Sequence, residues 1–371
     1  MTDVSPLAAF NDKQINLSHD WLTGMRGGER VLELLCRDFP EADLHTLIYY
    51  SDPFPESMTN RTIKTSSLQG LPGIRQNYKS FLPFFPSAMN GIKTREADIQ
   101  ISTSHCVAKG LRKQPGTKHL CYCFTPMRYA WTFYEEYFGT NPIKKMILSP
   151  ILGQLRRWDK ARSADVDHFV AISKHVQDRI KRFYGRDSDI VYPPVNTERC
   201  VPNGQPPEDF DLVVSALVPY KRVDLAVKAY NENGRRLKIV GIGGALQELK
   251  SIAKENIEFL EWQTDEVVLD LYQRCRMLIF PGEEDFGIVP VEAQACGRPV
   301  VAFARGGALE TVKKDVSGVF FDEQTTESLS EAVTRCASAT WDVDAIRQHA
   351  QTFSEQAFLE GLAKSLHKMM G

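Results

Sequence analysis

From Phe210 onward the chain repeats one pattern six times. A short apolar run leads into a loop, and the loop opens a segment whose apolar residues recur at helical spacing. The predicted strands are 211–216, 237–240, 257–260, 277–280, 299–303 and 318–321, and the helices between and after them are 222–231, 245–254, 265–274, 290–296, 308–313 and 325–338. Strands that alternate with helices predict a parallel sheet covered on both faces. The tail, roughly 343–369, also reads as helical.

The first half begins the same way. Strand 15–18 runs into the Gly-rich loop His19 to Gly28, and Glu29 opens a helix with Val31, Leu32, Leu34 and Leu35 on its apolar face. Further strands are predicted at 44–49, 99–102, 119–124 and 167–173, with Ser173 capping a helix at 174–184. Pro193-Pro194, Pro202, Gly204, Pro206 and Pro207 mark a linker near 195–208. The chain of 371 residues is too long for one ordinary domain. It reads as two α/β domains, 1–200 and 201–345, with a C-terminal helix in 346–371 expected to return to the first.

Composition narrows the classes. Apolar residues make up 43% and charged residues 25%, which excludes disorder. No apolar run approaches the ~20 residues of a membrane helix. The N-terminus has no basic start and no apolar core of a secretion signal. Eight cysteines with no Cys-x-x-Cys spacing read as buried reduced thiols of a cytosolic protein. Charge is uneven: residues 1–200 hold 27 Lys+Arg and 21 Asp+Glu, against 18 and 26 in 201–371. Two stretches of the basic half mix cations with apolar side chains. The first, 67–92, is aromatic and broken by Pro72, Pro83 and Pro86. The second, Pro142 to Arg162, is a basic amphipathic helix with Ile143, Met146, Ile147, Lys144 and Lys145.

In an open parallel sheet the ligand meets the loops at the carboxyl ends of the strands. Gly27-Gly28 brings backbone N–H groups to a helix start, where an anion is stabilised. Gly241-Ile242-Gly243-Gly244 resembles half a dinucleotide fingerprint, but Leu246 stands where the third glycine belongs, which argues against nicotinamide binding. The loop Pro281 to Glu292 is the strongest signal. It can offer N–H groups of Phe286, Gly287, Ile288 and Val289 to a phosphate, while Glu284 and Glu292 reach sugar hydroxyls. Lys221 and Arg222 sit at an equivalent strand end as counter-charges to a diphosphate. Asp165-Val166-Asp167 is no metal motif, because it precedes a strand instead of ending one.

These pieces, with Thr125-Pro126-Met127-Arg128-Tyr129-Ala130-Trp131, Ala171-Ile172-Ser173 and Tyr192-Pro193-Pro194-Val195, resemble the retaining, nucleotide-sugar-dependent glycosyltransferases of the GT-B architecture, family four. The branch they resemble is that of bacterial mannosyltransferases of surface-polysaccharide assembly. The resemblance implies two Rossmann-like domains facing each other across a cleft, an acceptor-binding one first and a nucleotide-sugar-binding one second. It implies that Lys221 neutralises the donor diphosphate with Arg222, that Glu292 holds the ribose, and that Glu284 with the backbone of Phe286 to Val289 holds the transferred sugar. Gly27 and Gly28 approach the donor phosphate, Gly243 joins the donor-binding loops, and Trp262 lies near the base.

Two departures stand out. Ala216 replaces an expected Arg, and Phe124 replaces the His that precedes Thr125-Pro126 in the family. His105 and His19 are the candidate substitutes, His105 first, with a merely satisfied polar residue as the plainer reading of either. The expectation is a hexosyltransferase that moves mannose from GDP-mannose to a lipid-linked or saccharide acceptor. It needs no metal or other cofactor, does not act on nucleic acid, and works in the cytoplasm with peripheral contact at the inner face of the membrane. The alternatives are a non-catalytic nucleotide-sugar-binding protein and a GT-B sugar-nucleotide epimerase.

Overall fold

A computed structural model describes residues 4–50, 54–132 and 142–371, with side chains from 146 onward in the last span. The side chains of Ile143, Lys144 and Lys145 therefore lie outside the described residues. The chain forms two compact units, one of residues 1–192 with Phe358–Gly371, the other Pro193–Ala357.

The first unit is built on a parallel sheet of seven described strands: β1 (Ile15–His19), β2 (Asp43–Thr46), β3 (Ile63–Thr65), β4 (Ile99–Ser104), β5 (Lys118–Cys123), β6 (His168–Ala171) and β7 (Ser188–Ile190), in the order β3-β2-β1-β4-β5-β6-β7. β1 and β4 are buried along their whole length, as a sheet covered on both faces requires. The edge strands β3 and β7 escape sequence patterning because each is three half-buried residues with no apolar run. The regular ladder of the predicted strand 44–49 ends at Thr46, and pairing resumes as an isolated parallel bridge between Tyr49 and Leu22. Beyond Thr46, Ile48 accepts from the Leu22 N–H at 2.8 Å and the Tyr50 N–H reaches Leu22 O at 3.0 Å, so the chain turns to follow the loop after β1.

Most apolar residues of 67–92 are core. Leu68, Ile74, Tyr78, Leu82, Phe85 and Met89 share one cluster with Leu152 and Leu155 of the helix Pro142–Ser163. Leu71, Phe84, Met146 and Ile147 stay exposed. At the C-terminus, Phe358 sets its ring edge-on to Tyr122 at 5.4 Å, and Lys368 Nζ lies 2.6 Å from Asp189 of β7.

The second unit carries β8 (Asp211–Val214), β9 (Leu237–Val240), β10 (Ile257–Glu261), β11 (Leu278–Phe280), β12 (Val300–Phe303) and β13 (Gly318–Phe321), all parallel, in the order β10-β9-β8-β11-β12-β13. Its core joins Val213, Ile239, Ile279, Val301 and Phe321 to the helices Val223–Asn233 and Thr326–Ser338. The helix expected to start at Pro290 starts two residues earlier, at Ile288, because Gly287 turns the chain with a φ of 95°. All eight cysteines are buried and free. No described helix is long and apolar enough to cross a membrane.

Candidate functional site

In the second unit the strand order reverses at β8. β9 and β10 lie to one side and β11 to β13 to the other, so the loops after β8 and β11 part at the switch point where such sheets bind ligands. Lys221 ends a short turn, Pro219–Lys221, in the first loop. Glu284 lies in the second. Their side chains form an ion pair between Lys221 Nζ and Glu284 Oε1, both mostly shielded from water. The loops also touch backbone to backbone. A Cβ on Gly282 would sit 2.9 Å from Lys221 Cα and from its carbonyl oxygen, so only glycine lets them approach this closely. On its other side the Glu284 carbonyl accepts from the Gly307 N–H at 2.8 Å.

Arg222 takes a left-handed conformation, with φ 53°, and braces the same loop. Its Nε donates to Asp224 at 3.1 Å and its Nη1 to Gln324 at 2.9 Å, while Gln324 donates to the Pro281 carbonyl at 2.9 Å. Ile288 and Val289 open the helix Ile288–Ala295, whose first N–H groups have no intrahelical acceptor and carry the positive end of its dipole. Phe286 is buried, its ring 5.6 Å from Phe353, and anchors the loop before that helix. Glu292 lies one turn in and accepts from the Tyr272 hydroxyl at 2.9 Å. Burial, and then the Glu292 carboxylate, pushes the Tyr272 phenol up, so it remains a donor. Gly243 packs against the β8 loop, where a Cβ would lie 2.2 Å from the Leu217 carbonyl. Trp262 is exposed after β10.

The first unit reverses its strand order between β1 and β4. His19 ends β1, and Asp20 follows it into the loop. The Asp20 carboxylate is fully buried and gathers five donors from one segment. Four are the backbone N–H groups of His105 at 2.6 Å, Cys106 at 3.0 Å, Val107 at 2.6 Å and Ala108 at 2.7 Å. The fifth is His105 Nδ1, 3.0 Å from Oδ2. Burial would raise the Asp20 carboxyl, but His105, His19 and the backbone donors outweigh it and hold it well below the usual carboxylate range. Sequence reasoning missed Asp20, which lies among loop residues with no spacing to mark it.

Gly27 and Gly28 begin the helix Gly27–Asp38, and Glu29 of its first turn is buried 3.8 Å from His19 Nε2. Gly28 faces Phe124. A Cβ there would lie 3.3 Å from the Phe124 ring and 3.6 Å from the His19 ring. The Phe124 ring centre is 6.4 Å from those of both His19 and His105. Of the residues predicted from sequence, Gly27, Gly28 and His105 thus meet at the first switch point. Lys221, Glu284 and the Phe286 to Val289 loop meet at the second.

Residues 25–199 match the family model described as Glycosyltransferase Family 4, and residues 201–355 the one described as Glycosyl transferases group 1. A glycosyltransferase of Methanocaldococcus jannaschii, MJ1178, described as uncharacterized, is 27% identical over 183 residues, 48% of this chain and 52% of that protein. The D-inositol 3-phosphate glycosyltransferase of Rhodococcus jostii is 28% identical over 237 residues, 54% of this chain and 52% of that protein. The chain spans about half the length of the curated relatives it matches. Among solved structures, the lipopolysaccharide outer core galactosyltransferase WaaB aligns with a TM-score of 0.68 at 16% identity, over 96% of this chain and 99% of the other. Anabaena HepE in complex with UDP aligns with a TM-score of 0.71 at 14% identity, over 96% and 100%. At these identities the likeness to solved structures is one of fold.

Proposed function

The chain carries family four and group 1 glycosyltransferase domains in succession, and on that premise we propose that it transfers a hexose from a nucleoside-diphosphate sugar to an acceptor hydroxyl with retention at the anomeric carbon. The observation that carries the reading is the Lys221–Glu284 pair between the two loops at the switch point of the second unit. A diphosphate there meets the Lys221 ammonium and the start of the helix Ile288–Ala295, which together neutralise the charge that grows on it as the sugar leaves. Glu284, released by the diphosphate from its pairing, accepts hydrogen bonds from sugar hydroxyls. Glu292, oriented by Tyr272, does the same for the ribose.

In the transfer the bond from the anomeric carbon to the diphosphate oxygen breaks. The acceptor oxygen bonds to that carbon on the same face, and its proton passes to the leaving diphosphate oxygen. The protein orients reactants and stabilises charge. Arg222 acts here mainly as a brace, since Asp224 and Gln324 engage its guanidinium.

GDP-mannose is the donor we place first. HepE was solved with UDP, which makes UDP-sugars the second choice. The acceptor we propose is a lipid-linked saccharide reached at an anionic membrane surface. The exposure of Leu71, Phe84, Met146 and Ile147, and of Arg75 and Lys79 in the same unit, supports that contact. Phe124 and Ala216 favour, as a second reading, a protein that binds a nucleotide sugar without transferring it. The experiment is a panel of GDP-, UDP- and ADP-sugars read by thermal shift and by nucleoside diphosphate release. Stabilisation with release supports transfer, stabilisation alone supports the second reading, and sugar inversion would identify an epimerase.

A further inference from the structure

One side chain joins three strand-end loops of the second unit. Gln324 lies half-buried in the loop between β13 and the helix Thr326–Ser338. Its amide oxygen accepts from Arg222 Nη1 at 2.9 Å, in the loop after β8, and its amide nitrogen donates to the Pro281 carbonyl at 2.9 Å, in the loop after β11. A guanidinium only donates and a carbonyl only accepts, so the amide has one orientation that satisfies both. The residues it holds are the chain neighbours of the two that meet backbone to backbone. Lys221 precedes Arg222, Gly282 follows Pro281, and a Cβ on Gly282 would sit 2.9 Å from Lys221 Cα. Gln324 thus closes a clamp around the place where the Lys221 loop touches the Glu284 loop.

The sheet alone does not hold that contact. β8 pairs with β11 through Leu212 and Leu278, and the two strands end at Val214 and Phe280, so the ladder stops short of Lys221. The backbone beside Lys221 also needs support. Arg222 sits at φ 53° and ψ 33°, a region that an L-residue enters at a cost its surroundings must offset. This reversal separates the turn Pro219–Lys221 from the helix Val223–Asn233 and sets the direction in which Lys221 leaves the turn. Asp224 ties the Arg222 guanidinium to its own helix and shares its carboxylate with Lys228 at 3.1 Å. Gln324 ties it to the rest of the sheet. On the far side, a Cβ on Gly306 would lie 2.4 Å from the Glu284 carbonyl, so the loop after β12 closes on Glu284 as well. A charge that must meet a ligand binds it more tightly when its support is locked in advance.

We propose that Gln324 is a positioning residue for Lys221: through Arg222 and Pro281 it fixes where the Lys221 ammonium stands, and so sets the affinity of the second unit for a diphosphate. The proposal rests on the donor-binding reading of that unit. Gln324 acts through Lys221 and needs no contact of its own with phosphate or sugar.

The test titrates the full chain with GDP and with UDP by calorimetry, in the wild type, Gln324→Met, Lys221→Met and the double variant. Met keeps the length of Gln without its polar atoms. Gln324→Met should weaken the tighter of the two diphosphates roughly ten-fold, with the unliganded Tm largely kept. In the Lys221→Met background the same change should add little, because the group it positions is gone. Gln324→Ser, which shortens the side chain beyond reach of both partners, should give the same loss as Gln324→Met and separates the missing bonds from any effect of the Met side chain. Losses that multiply in the double variant would make Gln324 independent of Lys221 and overturn the proposal. A wild type that binds while Gln324→Met and Gln324→Ser match it removes the proposal alone. A wild type that binds neither diphosphate removes the donor-binding reading and the proposal together.

Discussion

Lys221 and Glu284 come from different loops of the second unit and pair at the point where the strand order of their sheet reverses. Each is thereby placed and partly neutralised. On the proposed function, a diphosphate would compete for Lys221 with a carboxylate and free that carboxylate for the sugar it carries. The proposed function would thus link recognition of the leaving group to recognition of the transferred sugar through one contact.

The two glutamates should therefore separate in kinetics. Glu284→Ala should mainly lower kcat, and Glu292→Ala should mainly raise the donor KM, each by about 1.5–3 kcal/mol for a lost charged hydrogen bond. Steady-state kinetics on the active donor checks this. Equal small effects of both changes on both parameters would remove the roles assigned to the loop.

Activity should survive EDTA. In the proposed mechanism the Lys221 ammonium and the start of the helix Ile288–Ala295 would supply the positive charge that a divalent ion can otherwise provide. Nucleoside diphosphate release is compared with and without chelator. A strict requirement for added magnesium or manganese contradicts the mechanism.

The six-fold alternation of the second domain was legible because strand and helix periods are local, and the loops at strand ends followed from it. The pairing of Lys221 with Glu284 was not legible, since it depends on β8 and β11 being neighbours, which only the sheet order states. Asp20 left no pattern either. A buried carboxylate that collects the N–H groups of residues 105–108 is recognised by three-dimensional convergence, not by spacing. The left-handed backbone of Arg222 and its hold on Gln324 have no sequence mark either.

Acid should weaken the fold through His119. The ring is buried, with Nε2 2.8 Å from Ser102 Oγ, and burial, then Lys113, brings its pKa down to about 3 from 6.5. Below pH 6.5 the unfolded chain takes up a proton that the folded one refuses. Stability from this group is therefore complete above that pH and declines as pH falls toward 3. Between pH 7 and 5 the loss is roughly 2 kcal/mol at most. Thermal melts at both pH values should show a smaller decline for His119→Asn than for the wild type. Equal declines contradict the assignment.

Membrane contact should require the exposed side chains of the first unit. Wild-type chain should float with vesicles containing anionic lipid at low salt. Each basic residue near the surface contributes about 1 kcal/mol, screened as salt rises. Phe84→Ser with Met146→Ser should reduce flotation without changing release of nucleoside diphosphate in solution. A wild type that fails to float at low salt excludes the membrane-bound acceptor.

The most direct test of the central claim is donor-induced thermal shift in wild type and Lys221→Met. A donor at 100 times its Kd adds about 2.7 kcal/mol to the wild type. The account predicts a clear rise in Tm with one nucleoside-diphosphate sugar, GDP-mannose before UDP-glucose, and its loss in Lys221→Met with the unliganded Tm largely kept. A wild type that no donor stabilises, or a Lys221→Met variant that shifts as far as the wild type, would contradict it.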